Sequence, residues 1–205
     1  MNPILILHQI APEITAIVEQ RYAVLRAIGY KGPVGRRALA QELHCPERLI
    51  RNELELLSEL GFVVKSSSGV ALSAAGERIL QQLAEYIHQM RGLSDLEQEL
   101  ACRLNLNAAI VVPGNSDEDP IVKQDLAKAA VRFLRRCLKN GDTLAVSGGT
   151  TLAEVAKWVS QDGPRRSVTV VPARGGLGED VELQANTIAA KLAQGLGGSY
   201  RLLHA

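Results

Sequence analysis

Cysteine is scarce in this chain, and its three thiols, Cys45, Cys102 and Cys137, are far apart, odd in number and never paired as CxxC. Neither a disulfide framework nor a zinc site is expected, and a reducing cytoplasmic setting fits such usage best. Long apolar runs are missing too: none approaches the roughly 20 residues that span a bilayer, so no membrane partner is expected. The opening MNPILILHQI lacks the basic n-region and small-residue cleavage site of a secretory signal. An excess of either charge is absent, with 23 basic and 22 acidic residues leaving a net +1. Near-neutrality argues against a nucleic-acid partner only if the charge is spread evenly. What is present is a hydrophobic fraction of 46% and a charged fraction of 22% over 205 residues. That is enough apolar material for one large domain or two small ones, and it excludes wholesale disorder.

The charge is not spread evenly. From Arg21 to Arg51 the chain carries Arg21, Arg26, Lys31, Arg36, Arg37, Arg48 and Arg51 against only Glu42 and Glu47. The balancing acids, Glu53, Glu55, Glu59, Glu77 and Glu85, follow at once. A basic segment of this kind is an electrostatic footprint for a phosphate backbone, although charge alone equally suits a solvated face.

The pattern changes near residue 92, which divides the chain into expected domains at 1–91 and 92–205. In the first, Pro12-Glu13-Ile14-Thr15 opens a helix with apolar residues at helical spacing, and Gly29 and Gly32-Pro33 stop it. A short helix at 36–43 follows, then a turn at His44-Cys45, then a third helix with Pro46 at its first position and Gly61 as its cap. Phe62–Lys65 and Val70–Leu72 read as strands around the polar turn Ser66–Gly69, and Ser73 with Glu77 introduces a long helix to about Arg91. Three helices and a hairpin are the order of a winged helix-turn-helix. Its third helix is presented by the first two, so that its exposed face enters a major groove about 12 Å wide. On that helix Leu49, Ile50, Leu54, Leu57 and Leu60 form the inner stripe, leaving Arg48, Arg51 and Asn52 outward. Arginine pairs bidentately with guanine and asparagine with adenine, so these three are the candidate base readers. Arg36 and Arg37, opening the second helix, are candidate phosphate contacts, which position without specifying. A helical protein-interaction module with solvated arginines is the competing reading.

In the second half, Ala108–Pro113, Thr143–Ser147, Val168–Pro172 and Tyr200–His204 are short apolar runs suited to buried parallel strands, separated by helical patterns. Two glycine loops follow strands. Ser147-Gly148-Gly149-Thr150-Thr151 lies between a strand and a helix, where glycine lets the backbone approach an anion and the helix terminus supplies N–H donors. Neither GxxxxGK[ST] nor GxGxxG is present, which weakens nucleotide readings. The second loop, Pro172-Ala173-Arg174-Gly175-Gly176-Leu177-Gly178, offers the Arg174 fork for a phosphate. Gln184, Asn186 and Thr187 open the next helix and serve either ligand contact or loop packing. Open α/β sheets bind ligands at the carboxyl ends of their strands, where both loops fall. No cofactor and no metal is expected.

The stretches PERLIRNELELLSELGFV, GDTLAVSGGTTLAEVAKWV and VPARGGLGEDVELQANTIAAKLA resemble the SorC/DeoR-type bacterial transcription regulators over nearly the whole chain. The resemblance implies an α/β protein: an N-terminal winged helix-turn-helix plus a parallel-sheet, isomerase/deaminase-like sugar-phosphate-binding domain. It further implies a non-enzymatic repressor of a carbohydrate or glycolytic operon, binding double-stranded operator DNA as a homo-oligomer, a dimer or tetramer in the full-length form. A phosphorylated sugar, fructose-1,6-bisphosphate first among the candidates, would relieve repression. Carried over by motif, Ser147, Gly148, Gly149, Thr150, Thr151 and Arg174 would contact phosphate, with Gly175 and Gln184 nearby. In such regulators the effector domain continues on the order of a hundred residues further, so a partial domain with an open sheet edge is expected, from a fragment or a truncated reading frame. The alternative function is a sugar-phosphate isomerase- or deaminase-like enzyme with an accessory helical module. Against it, no histidine or carboxylate pair accompanies the loops beyond Glu179 and Asp180.

Overall fold

The computed structural model describes Ile6 and residues 9–159, 166–175 and 180–203. The chain forms two compact units, Met1–Val111 and Val112–Ala205.

In the first unit, helix α1 (Pro12–Lys31) starts with proline near its N-terminus and ends before Gly32, whose φ is 68°. Gly29, expected to stop this helix, lies inside it; a Cβ there would press on the Leu72 and Leu80 side chains at 3.0 and 3.1 Å. Helix packing, not local propensity, explains that glycine. Helices α2 (Arg36–Glu42) and α3 (Glu47–Glu59) come next, with Pro46 capping α3 from outside rather than occupying its first turn. Ile50, Leu54 and Leu57 are the buried face of α3, while Leu60, assigned to the same stripe by spacing, is 51% exposed because it lies past the helix end. Each fully buried leucine or isoleucine contributes on the order of 1.5–3 kcal/mol, which is what fixes the roll of α3.

Strands β1 (Val63–Ser66) and β2 (Gly69–Leu72) pair antiparallel, with Ser66 opposite Gly69, so the turn is the two residues Ser67-Ser68. Val34, between α1 and α2, adds a bridge to Val70 through two backbone hydrogen bonds of 3.0 and 2.9 Å. Gly69 has φ 131°, and a Cβ on it would stand 2.8 Å from the Val34 backbone. Helix α4 (Ala74–Met90) begins at Ser73, whose hydroxyl accepts from the Gly76 N–H at 3.0 Å and donates to the Gly61 carbonyl at 2.6 Å. Helix α5 (Leu93–Arg103) closes the unit and buries none of its residues.

The stretch that runs across the boundary between the two units differs from expectation. Ala108–Pro113 is not a strand; among the described residues it has no ladder partner, Ile110 is 46% exposed, and the Val111 N–H is taken by the Glu97 carboxylate at 2.7 Å. An apolar run becomes a strand only when a neighbour satisfies its backbone. The sheet is three-stranded and parallel, in the order β3 (Thr143–Val146), β4 (Thr169–Pro172), β5 (Ser199–Tyr200). Helices α6 (Pro120–Cys137), α7 (Thr150–Val159) and α8 (Ala185–Leu196) alternate with these strands. Asp119 caps α6, accepting from the Ile121 N–H. Gln184, expected to open the next helix, instead precedes α8, and Val181–Leu183 before it is a 3-10 turn capped by Asp180. The last strand covers two residues, although the Arg201 N–H still reaches the Val170 carbonyl at 3.1 Å; His204 lies outside the described residues. Ala127, Val131, Val146, Val155, Val170, Ile188, Leu192 and Leu196 are central to the core of this unit. Burial of the strands is one-sided: β3 buries Val146 while Thr143 and Ala145 are exposed, β4 buries Val170 and Pro172, and both residues of β5 are exposed.

Candidate functional site

Burying Ile50, Leu54 and Leu57 turns the opposite face of α3 outward, and Arg48, Arg51 and Asn52 are all exposed there. Neither arginine has an ion pair among the described residues, so both guanidinium groups are available. Other parts of the basic segment are already engaged. Arg21 meets Glu53 at 3.2 Å, and Lys31 meets Glu42 at 2.7 Å. Arg36 donates from Nε to Glu47 Oε1 at 2.7 Å, while Arg37 Nε stands 3.7 Å from Glu47 Oε2. Counting charge along the chain therefore overstated what the fold presents. Glu53 follows the basic segment in sequence, but one helical face brings it back onto α1. Glu47, one of the two acids within the basic segment, pairs with both candidate phosphate-contacting arginines.

The second unit assembles its loop at the carboxyl ends of β3 and β4. Val146 is opposite Pro172, and the Ala173 N–H donates to the Val146 carbonyl at 2.7 Å, so Ser147 and Arg174 leave the sheet side by side. Gly148 is required by a close approach: a Cβ there would lie 2.5 Å from the Leu183 carbonyl oxygen. The Gly149 N–H donates to that same oxygen at 2.9 Å, which removes one donor from the set available to an anion. Gly149 has φ 122° and opens α7, leaving the first-turn N–H groups of Thr150, Thr151 and Leu152 without intrahelical acceptors. Such a terminus attracts negative charge through both its donors and its dipole.

Lys123, on the first turn of α6, was missed by sequence reasoning. Its Nζ lies 3.3 Å from Thr150 Oγ1, and it has no carboxylate partner among the described residues. A lone lysine 27 residues from the loop carries no sequence signal; only the packing of α6 on α7 brings it there. Arg174 is exposed without an ion pair among the described residues, and Gly175 is open, with nothing within 4 Å of a Cβ. Gly176, Leu177, Gly178 and Glu179 lie outside the described residues. Gln184 is half-buried directly before α8. Asn186 instead clasps the backbone after β5, donating to the Leu203 carbonyl at 3.0 Å and accepting from the Leu203 N–H at 3.2 Å. Among the described residues no group of histidine, cysteine and carboxylate side chains could hold a metal ion.

A winged-helix unit followed by a parallel-sheet unit with a glycine loop at its strand ends defines a class of two-part regulators, a DNA-binding domain and a sugar-binding domain. Family comparison agrees on both halves. Residues 88–205 match the model described as "Putative sugar-binding domain", and residues 17–87 match the CggR N-terminal DNA binding domain. The chain belongs to this sugar-binding-domain family, and the resemblance to SorC/DeoR-type regulators holds. The central glycolytic genes regulator of Bacillus subtilis (strain 168) is 39% identical over 95% of this chain and 57% of its own length. The protein of the same name from Priestia megaterium is 41% identical over 96% of this chain and 58% of its own. The chain thus spans less than three-fifths of the length of these relatives. A SorC family transcriptional regulator from Enterococcus faecalis, known as a crystal structure, is 41% identical, with a TM-score of 0.47 over 54% of this chain and 45% of that one. No helix among the described residues is long and apolar enough to cross a membrane.

Proposed function

We propose that the chain is the operator-binding and effector-sensing part of a transcriptional repressor of a carbohydrate operon, most specifically a glycolytic one. Residues 1–91 bind double-stranded DNA, with Arg48, Arg51 and Asn52 reading bases and Arg36 and Arg37 contacting phosphates. Residues 92–205 form the first part of a domain for a phosphorylated sugar, fructose-1,6-bisphosphate first. Ser147, Gly148, Gly149, Thr150, Thr151 and Arg174 cradle a phosphate there, Gly175 and Gln184 lie alongside, and Lys123 joins them as a further cation. The repressor acts in the cytoplasm as a homo-oligomer, a dimer or tetramer at full length.

The observation that carries this reading is the meeting of the Lys123 ammonium and the Thr150 hydroxyl at the N-terminus of α7, in a loop that follows β3 where the neighbouring strand leads into Arg174. These are groups that bind an anion. Sugar-phosphate binding preferred by the low-affinity arrangement lowers operator affinity by the coupling free energy, typically about 1–3 kcal/mol or roughly 5–150-fold. The test is a DNA-retardation titration with a genomic upstream fragment, with and without fructose-1,6-bisphosphate, on the wild type, Thr151→Ala and Arg174→Ala. The variants should keep DNA binding and lose the ligand response. An unchanged response in both removes the loop from the effector site.

A further inference from the structure

We propose that Glu47 is an electrostatic gate on the DNA-facing surface, occupying Arg36 and Arg37 so that sequence-independent binding to phosphates is restrained. The inference rests on the DNA-binding reading above and concerns how that surface is regulated.

Glu47 is the first residue of α3, next to Arg48 and about one turn before Arg51. Its two carboxylate oxygens face two different guanidinium groups, Oε1 toward Arg36 at 2.7 Å and Oε2 toward Arg37 at 3.7 Å. An acid in a first turn is favoured by the helix dipole, but that preference does not call for a pair of arginines from another helix. Arg36 and Arg37 are the opening residues of α2, so both sit where a DNA strand flanking the recognition helix would pass. A carboxylate offers the same planar pair of acceptors as a phosphate, so Glu47 occupies the position of the ligand these arginines are suited to hold.

The pair is displaceable. Glu47 is 40% exposed and Arg37 86% exposed, so the ion pair is screened and weak, and the highly charged backbone of a duplex competes for the same donors. Displacement still leaves the Glu47 charge beside the incoming phosphates. The trio Arg36, Arg37 and Glu47 therefore presents one net positive charge where two basic residues alone would present two. Contacts from Arg48, Arg51 and Asn52 to base edges are untouched by that subtraction. Glu47 thus weakens the part of binding that is common to all sequences and leaves the sequence-reading part in place.

The experiment measures binding of the full chain to a fluorescent mixed-sequence 30-base-pair duplex between 50 and 200 mM salt. Glu47→Gln removes the charge at nearly constant shape. It should tighten binding about three- to ten-fold at 100 mM salt and steepen the log–log salt slope by up to about 0.9, the value of one further phosphate neutralised. Adding Arg36→Gln to Glu47→Gln should remove most of the gain. Glu47→Asp, which keeps the charge, should not reproduce the tightening. All three side chains are exposed, and matching thermal melts confirm that the variants fold. Glu47→Gln binding within two-fold of a wild type that does bind, with an unchanged slope, overturns the gate alone. No binding by either protein at 20 mM salt overturns the gate together with the DNA-binding reading.

Discussion

Gly148→Ala isolates the geometry of the anion loop in one methyl group. The added Cβ would stand 2.5 Å from the Leu183 carbonyl oxygen and 3.3 Å from the Ala185 nitrogen, both backbone atoms that no rotamer change can move aside. Reaching ordinary contact near 3.4 Å requires the two backbones to part by about 0.9 Å. That separation stretches the Gly149 N–H to Leu183 hydrogen bond, now 2.9 Å, beyond useful range. Overpacking costs about 1–3 kcal/mol and the lost bond about 1 kcal/mol, so the substitution should destabilise the second unit by roughly 2–4 kcal/mol. In urea, with a slope of about 2 kcal/mol/M, the midpoint of that unit falls by about 1–2 M. Two neighbours calibrate the result. Gly149→Ala meets open space but a φ of 122°, so it should cost only the conformational strain, about 1–2 kcal/mol. Gly175→Ala meets nothing within 4 Å and should lie within about 0.5 kcal/mol of the wild type. The assay is urea unfolding followed by Trp158, the single tryptophan, which lies in the second unit. A Gly148→Ala midpoint no lower than that of Gly175→Ala would refute the steric argument.

Lys123→Met should weaken binding of inorganic phosphate and of fructose-1,6-bisphosphate about ten-fold by calorimetry while leaving the unfolding free energy in urea within about 0.5 kcal/mol of the wild type; equal affinity in wild type and variant removes Lys123 from the site. Ser73→Ala deletes a helix cap that joins Gly76 to Gly61, and should cost about 1 kcal/mol of first-unit stability in thermal unfolding. Burial raises the Cys45 thiol above its ordinary value of 9.0, so less reactive thiolate is present at any given pH; iodoacetamide near pH 8 should modify exposed Cys102 and Cys137 first, and mass mapping that found Cys45 first would contradict this.

How much was legible in the sequence depended on the range of the interaction involved. The hairpin, the Ser73 cap, the face of α3 and the strand-to-helix site of the glycine loop are set by residues within one or two turns of each other, and spacing alone reveals them. What escaped was set by partners distant in the chain. Arg21 and Glu53 are 32 residues apart and cancel; Lys123 and Thr150 are 27 apart and converge. Ala108–Pro113 has the composition of a strand, but composition cannot supply the neighbour that a ladder requires. Gly148 was assigned to an anion's approach, whereas its contact with Leu183 already demands glycine. Asn186 held two readings open until the clasp on Leu203 decided for packing.

The bridge between Val34 and Val70 limits how this protein can be re-engineered. Only Gly35 separates Val34 from α2, so the hairpin and the helix bearing Arg36 and Arg37 share a single mounting point. A hairpin transplanted from another protein would tilt α2 with it unless the graft kept both the two backbone bonds to Val34 and a glycine at position 69, where no side chain fits. Swapping of parts at this corner is therefore a choice of whole cassettes, from Val34 through Leu72, and not of loops.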